Sequence, residues 1–311
     1  MTRILVFALL TTALAGGGFY LSRLVNKPDI DAAYAMPLTP PAAPMRVFHL
    51  GHSLVGRDMP AMLAQLAGNG HSYHSQLGWG TSLREHWDPK LPINGFETEN
   101  AHDHYRDAKE ALASGSYDAV VLTEMVEIKD AIKYHKSGKF LRKWAGEARA
   151  ANPDTRVYLY ETWHHLNDPA GWLDRLDADY GAHWQQQVLF DDLRNRPDSP
   201  ARIIPAGQVM ARFARDLTAR GGVEGLASIE GLFARNDDGT LDTIHVNDLG
   251  AYLVALTHYA VLYHRSPVGL PYALQRADGT AAQAPSAEAA RLMQEVVWDV
   301  VQSDRLTGVG S

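Results

Sequence analysis

Arg46-Val-Phe-His-Leu-Gly-His-Ser-Leu-Val-Gly-Arg-Asp-Met-Pro60 is the stretch from which the rest of the chain can be ordered. Residues 46–50 are apolar and branched enough for a short buried strand. Gly51 and Gly56 supply a tight turn, and Met59 to Leu66 has the apolar spacing of a helix. Ser53 therefore stands at a strand-to-helix turn, with its hydroxyl exposed beside the backbone N–H groups of a helix start. Developing negative charge is stabilised at such a place, which suits a nucleophile; the same position also suits a plain helix-capping serine.

Outward from this stretch, short apolar runs alternate with longer helical patterns, as in a parallel sheet flanked by helices. Strands are expected at about 72–77, at Ala119-Val-Val-Leu122, at Val157-Tyr-Leu-Tyr160 and at Arg202-Ile-Ile-Pro205. Helices are expected at about 57–68, 104–114, 137–151, 169–193, 208–219, from Asn247 or Asp248 to His264, and 286–303. Residues 81–103 read as an irregular loop, and Asp237-Asp-Gly-Thr240 as a turn. In an open α/β sheet, ligand sites lie outside the carboxyl ends of the strands. Ser53, Gly80, Thr123-Glu124, Thr162-Trp163 and Gly207 should therefore share one rim.

A serine nucleophile needs a base, and the base needs an orienting group. With 14 histidines in the chain, one histidine alone means little. Asp242-Thr-Ile-His245 is more informative, because it falls after the fifth strand in what reads as a loop before a capped helix. There a carboxylate can hold the imidazole Nδ1–H and leave Nε2 free for a serine.

The order Gly51-His-Ser-Leu54, a glycine after the second strand, and Asp242-x-x-His245 resembles the SGNH (GDSL-type) hydrolase superfamily, in its carbohydrate-esterase-like branch. The likeness runs from about Met45 to Tyr263. It implies a three-layer α/β/α sandwich of flavodoxin-like architecture with about five parallel strands. It also implies that Ser53 is the nucleophile and that Asp242 and His245 complete the triad. The oxyanion would be held by the N–H groups of Ser53 and Gly80, with Gly78 the weaker match. Two positions depart from the family pattern. His52 replaces the aspartate of G-D-S-L. Leu122-Thr-Glu replaces G-x-N-D, so no asparagine follows the third strand. Thr123 could donate a hydroxyl or its N–H in place of that asparagine, whereas Glu124, unless protonated or paired, would repel an oxyanion and could instead hold His52 or another rim residue. Trp79, Glu124 and Trp163 are the substrate-binding candidates, Trp163 as a flat surface for a sugar ring.

The implied activity is hydrolysis of a short acyl ester, acetyl above all, on a carbohydrate. Transfer of the acyl group to an envelope polysaccharide and a non-catalytic carbohydrate-binding role are the alternatives. No metal or organic cofactor is implied: H-E-x-x-H is absent, and His102, His104, His164 and His165 read as surface or rim residues. The partner expected is a small-molecule or carbohydrate ester. A net charge of −7 argues against a basic nucleic-acid surface. The absence of cysteine excludes disulfides and thiolate catalysis. The composition, 46% hydrophobic and 21% charged, is that of a globular chain with a sizeable core.

Ile4 to Leu21 is uncharged and flanked by Arg3, Arg23 and Lys27, and Ala13-Leu-Ala15 fits a small-residue cleavage site. Residues 1–24 are therefore expected to be a signal peptide or membrane anchor, the chain's only link to a membrane. Residues 25–44, with five prolines between Pro28 and Pro44, read as a linker. The catalytic domain is expected over 45–305. Such a chain would be exported, to the periplasm or to the outer side of the inner membrane.

Overall fold

The computed structural model describes residues 29–310 except Asn195 and Pro197. The expected export segment lies outside the described residues; among those described, no helix is long and apolar enough to cross a membrane. Five strands form the sheet: β1 (Arg46–His52), β2 (Ser72–Gly78), β3 (Ala119–Thr123), β4 (Arg156–Glu161) and β5 (Arg202–Pro205). All pairs are parallel, in the order β2-β1-β3-β4-β5. That is the flavodoxin-like order, and its direction reverses between β1 and β3, where a crevice opens at the carboxyl ends of the strands.

Alternation along the strands makes two cores. Val47, Val121, Tyr158, Tyr160 and Ile204 face one side of the sheet. Phe48, Leu50, Leu122, Leu159 and Ile203 face the other. The first side is covered by α1 (Asp58–Ala67), α6 (Ala206–Arg220), α7 (Asp248–Tyr263) and α8 (Ala287–Ser303). The second is covered by α2 (Leu83–Trp87), α3 (Ala108–Ala113) and α4 (Ser137–Ala151). The helix α5 (Trp172–Asp179) continues through a wider π-type segment, Tyr180–Leu189, whose Trp184 and Val188 join this second core. Three layers result, as expected. In α4, Phe140, Leu141, Trp144, Ala145 and Ala148 form one buried stripe of helical spacing. By contrast α7 is buried on all sides and starts at Asn247, whose side chain accepts from the Leu249 and Gly250 amides.

Two regions depart from the reading of the sequence. The expected loop over 81–103 contains α2 and a further turn, Phe96–Glu99; Ser82 and Glu85 make a capping box that starts α2. The loop expected around Asp242 is instead a hairpin, β6 (Phe233–Arg235) with β7 (Leu241–Val246). Residues 29–44 also pack against the domain. Ile30–Ala33 is a helical turn capped by Asp29, and Tyr34 is buried with its hydroxyl donating to the Ala201 carbonyl (2.9 Å). Leu38 N–H donates to the Gly308 carbonyl (2.8 Å), so both flanks of the 45–305 core join it.

Candidate active site

Ser53 follows β1 directly. Its turn closes through the Val55 N–H to the His52 carbonyl (2.9 Å), with Gly56 at a φ of 58° that favours glycine. Two buried histidines brace this turn. His52 Nε2–H donates to the Glu124 carbonyl (2.8 Å), tying the end of β1 to the end of β3. The His86 ring on α2 lies 2.8 Å from the Gly51 carbonyl through Nε2, while its Nδ1 lies 3.0 Å from Gln76 Nε2. Burial pushes both imidazoles down to about 4, so both are neutral at ordinary pH, with Nε2–H the donor. Beneath the turn, a Cβ on Gly51 would sit 2.6 Å from Thr123 Cβ, so only glycine lets β1 and β3 approach this closely.

The hairpin brings the other two residues to Ser53. His245 Nε2 lies 2.9 Å from Ser53 Oγ, and His245 Nδ1 lies 2.8 Å from Asp242 Oδ2. Asp242 Oδ1 accepts from the Ile244 and His245 amides at 2.9 and 3.0 Å. Partial burial alone would raise the Asp242 carboxyl; these amides and the imidazole outweigh it and hold the group below its usual range. Asp242 is therefore the ionised acceptor for Nδ1–H. Ser53, Asp242 and His245 thus meet as the sequence leads one to expect, though Asp242 and His245 stand on β7 rather than on a loop.

What fixes β7 was not legible in the sequence. Trp163 Nε1–H donates to the Ile244 carbonyl (2.8 Å), the Leu166 amide to the Thr243 carbonyl (2.9 Å), and the His165 ring meets Thr243 Oγ1 (2.9 Å). Trp172 in turn donates to the His164 carbonyl (2.9 Å), bracing the same loop after β4. The adjacent histidines have parted: His164 faces Asp179 (3.2 Å) and His165 faces the hairpin. Among the described residues, no three His, Asp or Glu side chains converge as a metal-ligand set.

Several expected site residues are placed elsewhere. Trp163 is fully buried, so it offers no face to a sugar; its hydrogen-bonding reach was needed for the hairpin. Thr123 is also fully buried against Gly51, which takes its hydroxyl away from an incoming ester. Glu124 is buried as well. Its Oε1 accepts from the Leu83 and Met125 amides (3.2 and 2.9 Å), capping the start of α2, and burial raises it to about 7. It holds His52 through its carbonyl, not its carboxylate.

Trp79 is 53% exposed, with its indole N–H on Glu99 Oε1 (2.7 Å). Gly80 lies beside it at a φ of 56° with no atom within 4 Å of a would-be Cβ, and its N–H donates to no other described residue. Gly78, the weaker match, is closed in: a Cβ there would meet Ile93 Cγ2 and Thr81 Oγ1 at 2.3 Å each. The open backbone donor is therefore Gly80. A cavity of about 180 Å³ adjoins Ser53 between the starts of α1 and α7, lined by Arg57, Val246, Asn247 and Ala251 among others.

No family model matches the chain, and no curated protein matches it. Among solved structures the chain is similar to a DUF4886 family protein from Bacteroides uniformis, at 15% identity over 83% of this chain and 95% of that one, with a TM-score of 0.48. It is similar to a carbohydrate esterase family 3 protein from Talaromyces cellulolyticus, at 17% identity over 70% and 95%, with a TM-score of 0.34. It is also similar to an acetyl esterase variant solved with an acetate ion, at 18% identity over 70% and 95%, with a TM-score of 0.32. At such identities and scores the likeness is one of outline, and the function is argued from the site's own geometry.

Proposed function

We propose that the protein is a serine esterase of the SGNH type that removes a short acyl group, acetyl above all, from a carbohydrate ester. The observation that carries this is the continuous Asp242–His245–Ser53 chain, with links of 2.8 and 2.9 Å. His245 Nε2 takes the Ser53 proton as Oγ attacks the ester carbonyl. Asp242 holds Nδ1–H, fixes the tautomer and stabilises the imidazolium. The Ser53 and Gly80 N–H groups receive the oxyanion, each donor of this kind contributing about 3 kcal/mol. As the tetrahedral intermediate collapses, the bond between the acyl carbon and the sugar oxygen breaks, and His245 gives its proton to that oxygen, so the sugar leaves as its alcohol. Water, deprotonated by His245, attacks the acyl-Ser53 ester and releases the carboxylic acid as Ser53 regains its proton.

A fluorophosphonate probe and p-nitrophenyl acetate test this reading together. Intact protein should be labelled and should release p-nitrophenol, while Ser53→Ala should do neither and melt at the same temperature. Equal labelling of Ser53→Ala would move the nucleophile elsewhere. Folded wild-type protein inert to both reagents would end the esterase reading.

A further inference from the structure

Five cations line one concave groove on the α2/α3/α4 face: Arg84, Lys109, Lys136, Lys139 and Lys143. One carboxylate, Asp88, lines it with them, yet the chain as a whole carries a net charge of −7. None of the five is in an ion pair among the described residues, although other arginines of the chain find carboxylates readily, Arg175 at 2.7 Å and Arg149 at 3.0 Å. Asp107 and Glu147 act on Lys109 from nearby without bonding it. Keeping five cations together with one carboxylate among them and no close ion pair costs self-repulsion, so an acid-rich chain that holds such a cluster presents a field for an anion.

The cations are also held in place. Arg84 Nη1 donates to the Tyr134 carbonyl (3.0 Å). Lys109 Nζ sits 3.2 Å from the centre of the Trp87 ring, and Lys143 Nζ 4.7 Å from it. Lys136 and Lys139 flank the start of the fifteen-residue α4, whose N-terminal dipole adds to the positive field.

The groove holds about 440 Å³ and meets, at Trp87 and Lys109, a cavity of about 540 Å³ whose walls carry Glu85, Asp88 and Asp107 beside Leu91 and Phe96, so the positive field is confined to the groove itself. A concave cationic groove that also presents the Trp87 and Phe140 rings accepts a sugar chain bearing anionic groups, not a flat layer of headgroups. A nucleic-acid duplex would spread its phosphates over far more of an acidic surface. Because α4 leaves the carboxyl end of the sheet, its first turn lies at the same end as Ser53. The Leu83 amide on Glu124, just past β3, ties α2 to that end too.

We infer that this groove binds an anionic glycan, one whose sugars carry carboxylate or phosphate groups. The binding does not rest on the role of Ser53; only the further step, that the bound glycan is the carrier of the ester, rests on the esterase reading. The probe is a fluorescent oligogalacturonate, with a neutral malto-oligosaccharide, phosphatidylglycerol vesicles and a DNA duplex as comparisons, all measured by anisotropy or sedimentation on Ser53→Ala and wild-type protein. Oligogalacturonate should bind best, and binding should weaken with salt. Lys139→Gln/Lys143→Gln should bind about tenfold more weakly, and the exposed Lys139→Gln alone about threefold. Turnover of p-nitrophenyl acetate should stay unchanged in both variants. Undiminished binding by a folded double variant, no binding of oligogalacturonate by the wild type, or a preference for vesicles or DNA would each overturn the inference. Loss of ester turnover with oligogalacturonate binding intact would count against the esterase reading alone.

Discussion

Replacing Asp242 by Asn isolates what the acid contributes. In the native hairpin Oδ1 accepts the Ile244 and His245 amides, and Oδ2 accepts from the His245 ring. An asparagine can keep Oδ1 on the two amides, so the backbone of β7 should hold and stability should change by no more than about 1 kcal/mol. The other side of the group reverses, because an amide NH2 now donates to Nδ1. That forces the proton to Nε2, which then faces Ser53 Oγ at 2.9 Å as a donor and can no longer take its proton. Loss of the tautomer in such triads lowers kcat by about four orders of magnitude. At 1.36 kcal/mol per tenfold this is about 5.4 kcal/mol of transition-state stabilisation. The assay is p-nitrophenyl acetate turnover alongside a thermal melt. Near-native turnover would refute the acid assignment, and a loss matched by unfolding would show that Asp242 serves structure instead.

Other consequences can be checked on the same footing. Trp163→Phe keeps the apolar ring but leaves the buried Ile244 carbonyl without its donor, a cost of about 1–3 kcal/mol in stability. Displacing His245 should also lower kcat, by up to about a hundredfold, with little change in KM; an unchanged kcat would show that β7 is held without Trp163. Gly51→Ala places a methyl against Thr123 Cβ and Val55 Cγ2, and chemical denaturation should record a loss of about 1–3 kcal/mol. A neutral or stabilising result would mean that β1 and β3 part without strain.

Stability should peak near neutral pH. His52, His71, His86, His258 and His264 are lowered by burial to about 4, so the unfolded chain binds their protons first and stability drops as pH falls from 6.5 towards 4. Glu124 and Glu161, raised by burial to about 7 and about 8, favour the protonated folded state, and that contribution drains away as pH rises through those values. Glu161→Gln should flatten the alkaline side of a melting-temperature profile, whereas a melting temperature that climbs steadily from neutral to alkaline pH would contradict the assignment.

Much of the sheet was legible because β1, β3, β4 and β5 are short apolar runs flanked by turns, and α4 begins and ends where its stripe does. The Asp242–His245 pair was legible as a local geometry through its three-residue spacing, whereas Ser53, which alone reads equally as a helix cap, was linked to that pair by the resemblance of the motif order. The hairpin was not, since Leu241-Asp-Thr-Ile-His-Val246 alternates too weakly to read as a strand, although Asp238-Gly239 before it is a hairpin turn signal. Trp163 was misplaced for a related reason. Its position after β4 put it at the rim, but the carbonyl it serves belongs to residue 244, and no local pattern links the two. Likewise Glu124 keeps its place after β3, yet whether a side chain there turns outward or caps a neighbouring helix is decided by α2, which the sequence did not announce.

The hairpin gives the molecule a division of labour between a firm part and a detachable one. Ser53 is rooted at the end of β1, an inner strand of the sheet, whereas Asp242 and His245, the acid and base of the proposed triad, both ride on β7, a strand of a separate two-stranded ribbon moored by a handful of hydrogen bonds to the loop after β4. Ribbons of that kind open at lower free energy than the sheet they lean on. Under mild denaturant, catalysis should then fail before the far-ultraviolet signature of the fold changes, with amides 241–246 exchanging first. The chain could be switched off by unpinning its proton-transfer arm, its nucleophile still seated in an intact sheet.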